Sequence, residues 1–327
     1  MQYIVGLDQY EYNHQTVVAL GKFDGMHKGH MKLINRVREY SERSEAKSLV
    51  VTFDMKLRSE KDDTNREGGV SRAILMSNQE RFWYLEELVD YLVVCPFTRS
   101  ISQMKAEDFI KNILVKQLYA SHIVVGADFR FGHGKEGDAR MLSRFSDIYG
   151  YTLDIIEKEE HDGHVISSTY IKQELEKGNL ELTNILLGYP YTVVGQVEHG
   201  RKLGRTLGAP TMNVKPSPQK LLPPYGVYAS RIMVDGIWYF GISNVGVKPT
   251  VQEKSEVRVE SFLFDYGKEA YGKEIVVQFL GFIRSEKRFS GVEELKEQIQ
   301  KDIRKARLWR EQIHDKFIYR NKDWILY

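Results

Sequence analysis

The first half of this chain alternates two hydrophobic periods, and that alternation constrains its fold more than any other feature. Short β-branched runs at Thr16 to Leu20, Ser48 to Phe53, Tyr91 to Val94, His122 to Val125 and Thr152 to Ile156 are apolar at successive positions. Runs of this kind suit strands buried on both faces, as a central parallel strand requires. Helical patterns separate them. Leu33, Ile34 and Val37 form one stripe, Phe109, Ile110, Ile113, Leu114 and Leu118 another, and Ser77 with Glu80 reads as a capping box opening a helix through Leu88. Strands alternating with helices require right-handed crossovers, which predicts an α/β doubly wound parallel sheet. In such sheets ligands bind beyond the carboxyl ends of the strands.

The stretch VVALGKFDGMHKGH, Val17 to His30, falls at such an end. A strand, a glycine-interrupted turn and a helix start follow one another there. A helix start offers unpaired backbone N–H groups and a positive dipole end, so the turn from Gly21 through Lys22, Phe23, Asp24 and Gly25 reads as a phosphate trap. Gly21, Gly25 and Gly29 let phosphates approach the backbone closely, and His27 and His30 share one helical face, able to donate to phosphate oxygens. An isolated His-x-x-His is more often incidental. Here the glycines, the preceding strand and the following helix agree.

Two further segments fit a nucleotide site. VGADFRFGHG follows a strand and places Asp128 and Arg130 on the ligand side of the sheet. ISSTYIK enters a helix, bringing Ser167, Ser168, Thr169 and Lys172 to its N-terminus, where plain capping is the alternative role. The polar segment EKDDTNREGGV, Glu60 to Val70, reads as a loop over the same edge, either a lid or a linker.

After Gly188 the pattern changes to short strand-like runs: TVVGQVEHG, GVYASRIMV, an Asp235-Gly236 hairpin signal, IWYFGISNVG, VRVESFLFDY and EIVVQFLGFI. Many strands without intervening helices predict a small antiparallel β-barrel, closed off by a C-terminal helix with Val292, Leu295, Ile299 and Ile303 on one stripe. The expected division is residues 1–185 and 186–327. Within the second part, Gly200, Gly204 and Gly208 allow a loop to fold over phosphates, with Arg201, Lys202 and Arg205 supplying positive charge. Pro210, Thr211 and Asn213 follow; a threonine hydroxyl and an asparagine carbonyl are hard oxygen ligands suited to Mg²⁺ shared with ATP phosphates. The stretch from Leu308 to Tyr327 is aromatic and basic, with no function legible in it.

Composition excludes several classes of function. A net charge of +2 over 327 residues argues against a dedicated nucleic-acid surface, and KDIRKARLWR carries acidic neighbours that make it a solvated helix face. MQYIVGLDQY lacks a basic leader with an apolar core, and no apolar run approaches the ~20 residues of a membrane span. The lone Cys95 excludes an internal disulfide and follows an apolar strand, as a buried inert thiol would. A cytoplasmic enzyme acting on small molecules is the expectation.

The motifs GKFDGMHKGH, TFD, DYLVVCPFT, VVGADFRFG and ISSTYIK, in this order, resemble the nucleotidyltransferase half of the bacterial bifunctional riboflavin kinase/FMN adenylyltransferases. GRKLGRTLGAPTMN, YGVYA, SNVGVKPT, VESFLFDY, YGKEIVV and IRSEKRF resemble their riboflavin kinase half, so that the likeness runs from Thr16 to Arg307. The resemblance implies phosphorylation of riboflavin to FMN in the second domain and conversion of FMN and ATP to FAD and pyrophosphate in the first. It implies that His27 and His30 hold the ATP phosphates, that Ser167, Ser168 and Thr169 clamp the triphosphate, and that Glu260 is the general base for the ribityl hydroxyl. Adenylyl transfer asks for charge stabilisation and in-line positioning more than for a nucleophilic side chain. The chain departs from the family pattern at Lys22, usually asparagine; at Met55 to Leu57, usually Pro-His-Pro; at Lys172, usually arginine; and at Phe262, commonly histidine. The departures at Lys22, Met55 to Leu57 and Lys172 motivate one alternative, a riboflavin kinase with a weakened or inactive adenylyltransferase domain; another is a flavin- or nucleotide-binding regulator without turnover.

Overall fold

The computed structural model describes residues 1–54, 73–198, 211–248, 256–314, 317–320 and 323–326. The loop at 60–70, Met55 to Leu57 and the glycine-rich segment carrying Gly200, Lys202, Gly204, Arg205, Gly208 and Pro210 lie outside the described residues. Two compact units result: residues 1–71 with 81–167, and residues 72–80 with 168–327.

The first unit is built on six parallel strands: β1 (Gln2–Val5), β2 (Thr16–Gly21), β3 (Lys47–Asp54), β4 (Tyr91–Pro96), β5 (Ala120–Gly126) and β6 (Thr152–Ile156). Their order across the sheet is β1-β4-β3-β2-β5-β6. After β2 the chain moves one strand to one side to form β3, and β5 later pairs on the other side of β2. The topological switch therefore falls between the carboxyl ends of β2 and β5, the place where open α/β sheets bind ligands. β2 through β5 are buried along their length and form the core with Ile110, Leu114, Leu118 and Leu142. Cys95 is buried in that core, and burial pushes its thiol up to about 11, as an inert structural thiol requires.

Three features go beyond the local sequence pattern. β6 is an edge strand and half-exposed, because its only neighbour is β5 and Asp154 interrupts its apolar run. β1, too short and exposed to read as a strand, takes the opposite edge. The stripe from Phe109 is helical, but wound with i→i+5 hydrogen bonds over Phe109–Gln117, the Leu118 N–H donating to the Ile113 carbonyl at 2.9 Å. The helices α1 (Lys28–Ser44), α2 (Asn78–Leu85) and α3 (Ala139–Tyr149) occupy the other crossovers. α2 opens on the expected capping box, with Ser77 N–H to Glu80 Oε2 at 2.7 Å and Glu80 N–H to Ser77 Oγ at 3.2 Å, and ends at Leu85 rather than Leu88.

The second unit holds α4 (Ser168–Glu176), α5 (Leu180–Leu187) and a closed antiparallel barrel. Its strands are β7 (Tyr191–Glu198), β8 (Met212–Val214), β9 (Gly226–Val234), β10 (Ile237–Lys248), β11 (Glu256–Leu263) and β12 (Glu274–Ser285), in the order β7-β8-β11-β10-β9-β12 with β7 closing on β12. Asp235 and Gly236 both take positive φ, 51° and 77°, the primed hairpin turn that an Asp-Gly pair favours. α5 docks on the barrel through Asn184, whose carboxamide donates to the Phe279 carbonyl at 3.0 Å and accepts from the Tyr191 N–H at 2.8 Å. The buried Lys220 ammonium donates to Glu80 Oε2 at 2.9 Å and to the Leu75 and Thr192 carbonyls at 2.5 and 2.7 Å, which ties residues 72–80 into this unit. A buried cation so paired specifies one arrangement, and leaving its partner unpaired costs about 3–5 kcal/mol.

The final helix, α6 (Val292–His314), packs Ile299, Ile303, Ala306 and Trp309 onto Val227, Ala229, Ile242 and Leu280. The expected stripe therefore begins late, Val292 being 55% exposed. Two features hold this helix. Asp302, buried, takes the Arg284 Nε at 3.0 and 2.9 Å on its two oxygens, and the Trp309 indole lies where a Cβ on Gly281 would come within 2.5 Å. The unassigned C-terminal stretch completes this helix and then forms a hairpin, Phe317–Arg320 with Asp323–Leu326. No helix among the described residues is long and apolar enough to cross a membrane.

Candidate functional site

The loop after β2 is wound through three left-handed residues, Phe23 (φ 45°), Gly25 (φ 92°) and Met26 (φ 37°). For residues other than glycine this conformation costs about 1–3 kcal/mol each and persists only where surroundings enforce it. Phe23 and Met26 are both fully buried, so packing holds them there. Two hydrogen bonds fix the carbonyls on the way: Thr52 Oγ1 donates to the Lys22 carbonyl at 2.9 Å, and Arg81 Nε to the Phe23 carbonyl at 3.2 Å. The Lys22 side chain itself points to solvent. Two of the three glycines make room for side chains: a Cβ on Gly21 would lie 3.1 Å from the Phe23 ring, and one on Gly29 3.3 Å from the His27 ring.

His27 caps α1. Its Nδ1 accepts the His30 N–H at 3.3 Å, so in the neutral ring the proton sits on Nε2, a donor directed away from the helix. The His30 ring stacks on it at 3.7 Å and 19°, with the Phe23 ring 5.2 Å away, and His30 Nδ1 is buried without a hydrogen-bond partner among the described residues. Burial pushes His27 down to about 4 against the opposing pull of Asp24 and Asp128. Burial, followed by His27 and Arg81, holds His30 well below the ordinary histidine value. At neutral pH the pair offers N–H groups and no charge.

Asp128 stands just beyond β5, at the other side of the switch point, and pairs with Lys158 at 2.9 Å. Arg130 turns into its own hairpin, pairing at 2.9 Å with Asp138, whose other oxygen caps α3 through the Met141 N–H at 2.8 Å. Ser167 precedes α4, and Ser168, Thr169 and Lys172 lie in its first five residues.

On the barrel, register brings the second set together. Asn213 on β8 stands opposite Glu260 on β11, and Glu260 stands opposite Asn244 on β10, so the three side chains share one face. The Thr211 hydroxyl donates to Glu260 Oε1 at 2.5 Å. That bond uses the hydroxyl proton and leaves the oxygen's lone pairs for a cation. Phe262, Ile242 and Phe240 continue the same face as an apolar surface beside α6. Among the described residues no three His, Cys, Asp or Glu side chains are arranged to hold a metal ion. Thr211 and Asn213 supply hard oxygens that fit Mg²⁺ completed by phosphate oxygens, with the Glu260 carboxylate beside them.

Sequence reasoning missed Arg81 and Asn244. Arg81 sits in a helical pattern whose charged positions read as solvent-facing, and only the fold buries it to 6% exposure. Asn244, within SNVG, would have emerged from aligning the alternation of β10 with that of β11.

Known proteins match both halves. A family model for FAD synthetase matches residues 9–170, and one for riboflavin kinase matches residues 187–310. Bifunctional riboflavin kinase/FMN adenylyltransferases are similar over almost the whole chain. That of Listeria monocytogenes is 32% identical over 91% of this chain and 94% of its own, and that of Bacillus subtilis 35% identical over 89% and 92%. That of Escherichia coli K12 is 36% identical over 89% and 91%. A crystal structure described as a macrolide-efflux protein from Streptococcus pneumoniae superposes with a TM-score of 0.79, at 28% identity, covering 94% of this chain and 99% of that one.

Proposed function

Because the chain belongs to the bifunctional riboflavin kinase/FMN adenylyltransferase family, a transferase of flavin cofactor biosynthesis that uses ATP twice, we propose how its own residues divide that work. The functional border is set at residues 185/186, inside the gap between the two family matches. Residues 1–185 adenylylate FMN and residues 186–327 phosphorylate riboflavin.

In the kinase half Glu260 accepts the proton of the ribityl 5′-hydroxyl as that oxygen attacks the γ-phosphate. The loose transition state lets the proton leave late, so an ordinary carboxylate suffices. Mg²⁺, when bound by Thr211 and Asn213 together with the phosphates, neutralises charge on the transferred group. Phosphate binding in this half is assigned to Gly200, Lys202, Gly204, Arg205, Gly208 and Pro210 as well. The observation that carries this half is the convergence of Thr211, Asn213 and Glu260 through strand register.

In the adenylyltransferase half His27 Nε2–H and the N-terminus of α1 donate to the ATP phosphates, with His30 stacked behind as support. Gly21 to Gly25 form the cradle, and Asp128 and Arg130 border it. Ser167, Ser168, Thr169 and Lys172 hold the triphosphate from α4. Neutral donors placed where charge grows on leaving pyrophosphate lower the barrier without holding the departing pyrophosphate too tightly. The cytoplasm is the compartment where riboflavin, FMN and ATP meet such an enzyme.

Purified protein incubated with riboflavin, ATP and Mg²⁺, with products separated by chromatography, tests the whole reading. FAD is the expected product. Accumulation of FMN alone would leave a kinase with an inactive first domain, and unchanged riboflavin would leave a non-catalytic binder.

A further inference from the structure

The histidine pair contributes no charge at neutral pH, yet the loop that presents it is bonded to a buried cation. Arg81 is 6% exposed, lies on α2, and donates its Nε–H to the Phe23 carbonyl at 3.2 Å. That carbonyl belongs to the first left-handed residue of the loop, three residues before another at Met26, and the Phe23 ring packs on His30 at 5.2 Å. A buried guanidinium is costly to desolvate, about several kcal/mol, and is retained where it organises something. Held this way, the Phe23 peptide cannot rotate to a relaxed conformation without breaking a charge-assisted hydrogen bond.

Resting on the adenylyltransferase reading, we infer that Arg81 is a positioning residue for adenylyl transfer: its guanidinium locks the Phe23 peptide in the left-handed turn that presents the His27 Nε2–H. Electrostatics agrees with the geometry. The groups acting on His30 are His27 and Arg81, those acting on His27 are Asp24 and Asp128, and Arg81 disfavours protonation of His30. Burial leaves both imidazoles uncharged; Arg81 adds to that at His30, while Asp24 and Asp128 oppose it at His27.

The full-length chain provides its own control, because riboflavin phosphorylation depends on a separate set of residues. R81Q keeps a donor of similar reach but removes the charge; R81K keeps the charge but not the planar fork. With FMN and ATP supplied, R81Q is expected to slow FAD formation about 100-fold, the scale of a misplaced catalytic geometry, mainly in kcat, and to move the acid limb of its pH profile upward. R81K is expected to lose less than about tenfold and to leave that limb in place. Riboflavin phosphorylation and the thermal transition should match the parent in both, which excludes misfolding as the cause. The inference is overturned if R81Q makes FAD within about twofold of the parent, or if both variants slow equally with the acid limb unmoved, since packing alone would then explain Arg81. A parent chain that makes FMN but no FAD overturns the adenylyltransferase reading and this inference together; a parent that makes FAD unaffected by R81Q overturns the inference alone.

Discussion

The two candidate sites are built with opposite local chemistry. The turn after β2 gathers donors, a capping histidine with its proton on Nε2 and helix N–H groups, and a buried arginine behind them holds the Phe23 carbonyl. The barrel face gathers acceptors: a carboxylate, a hydroxyl whose proton is spent on that carboxylate, and two carboxamides in register. Donors meet phosphate directly; acceptors meet it through a cation. The contrast follows from the elements. A parallel strand leading into a helix exposes unpaired N–H groups at its end, whereas a closed antiparallel barrel pairs nearly all its backbone and leaves only side chains to bind.

The largest expected effect separates the halves outright. Changing His27 and His30 together to Ala removes the stacked pair and the cap, and FAD formation from supplied FMN should fall by more than about 10³-fold while FMN formation continues. Glu260→Gln keeps shape and the Thr211 contact but removes the base. FMN formation should then fall about 10²-fold, less than the histidine loss because the proton leaves late, with FAD synthesis from FMN unchanged by the same chromatographic assay. Equal sensitivity of both reactions to either change would erase the division of labour.

Acid should distinguish the sites next. His27 has a folded value of about 4 against 6.5 unfolded, so the unfolded chain binds more protons between those limits. Stability is complete above 6.5, is lost as pH falls toward 4, and changes no further through this group below that. The loss amounts to about 3 kcal/mol at most. Urea melts at pH 7 and pH 5 should show it in the first unit, and His27→Asn, which retains a capping oxygen, should flatten the slope. The smallest effect is expected at Gly29→Ala, whose Cβ would press on the His27 ring at 3.3 Å. FAD formation should drop about fivefold, roughly 1 kcal/mol, with kinase rates unaltered.

Much of this was legible in the residues. The central strands β2 to β5, the capping box at Ser77 and Glu80, the Asp235-Gly236 turn and the helix start at His27 all follow from local pattern and local hydrogen bonding. What escaped is what depends on neighbours. β6 and β1 became edges because of strand order, Phe109 to Gln117 widened into an i→i+5 winding, and Arg81 was buried by a turn far away in sequence.

The chain by itself determined that there would be a parallel sheet with a glycine-interrupted strand-to-helix turn, then a barrel, because hydrophobic period and glycine placement act over a few residues. Only the tertiary structure decided the states of the groups at work. Burial makes His27 and His30 neutral, and barrel closure sets Asn213 and Asn244 on either side of Glu260. Desolvation and register are properties of what surrounds a residue, and no local stretch of sequence contains its surroundings.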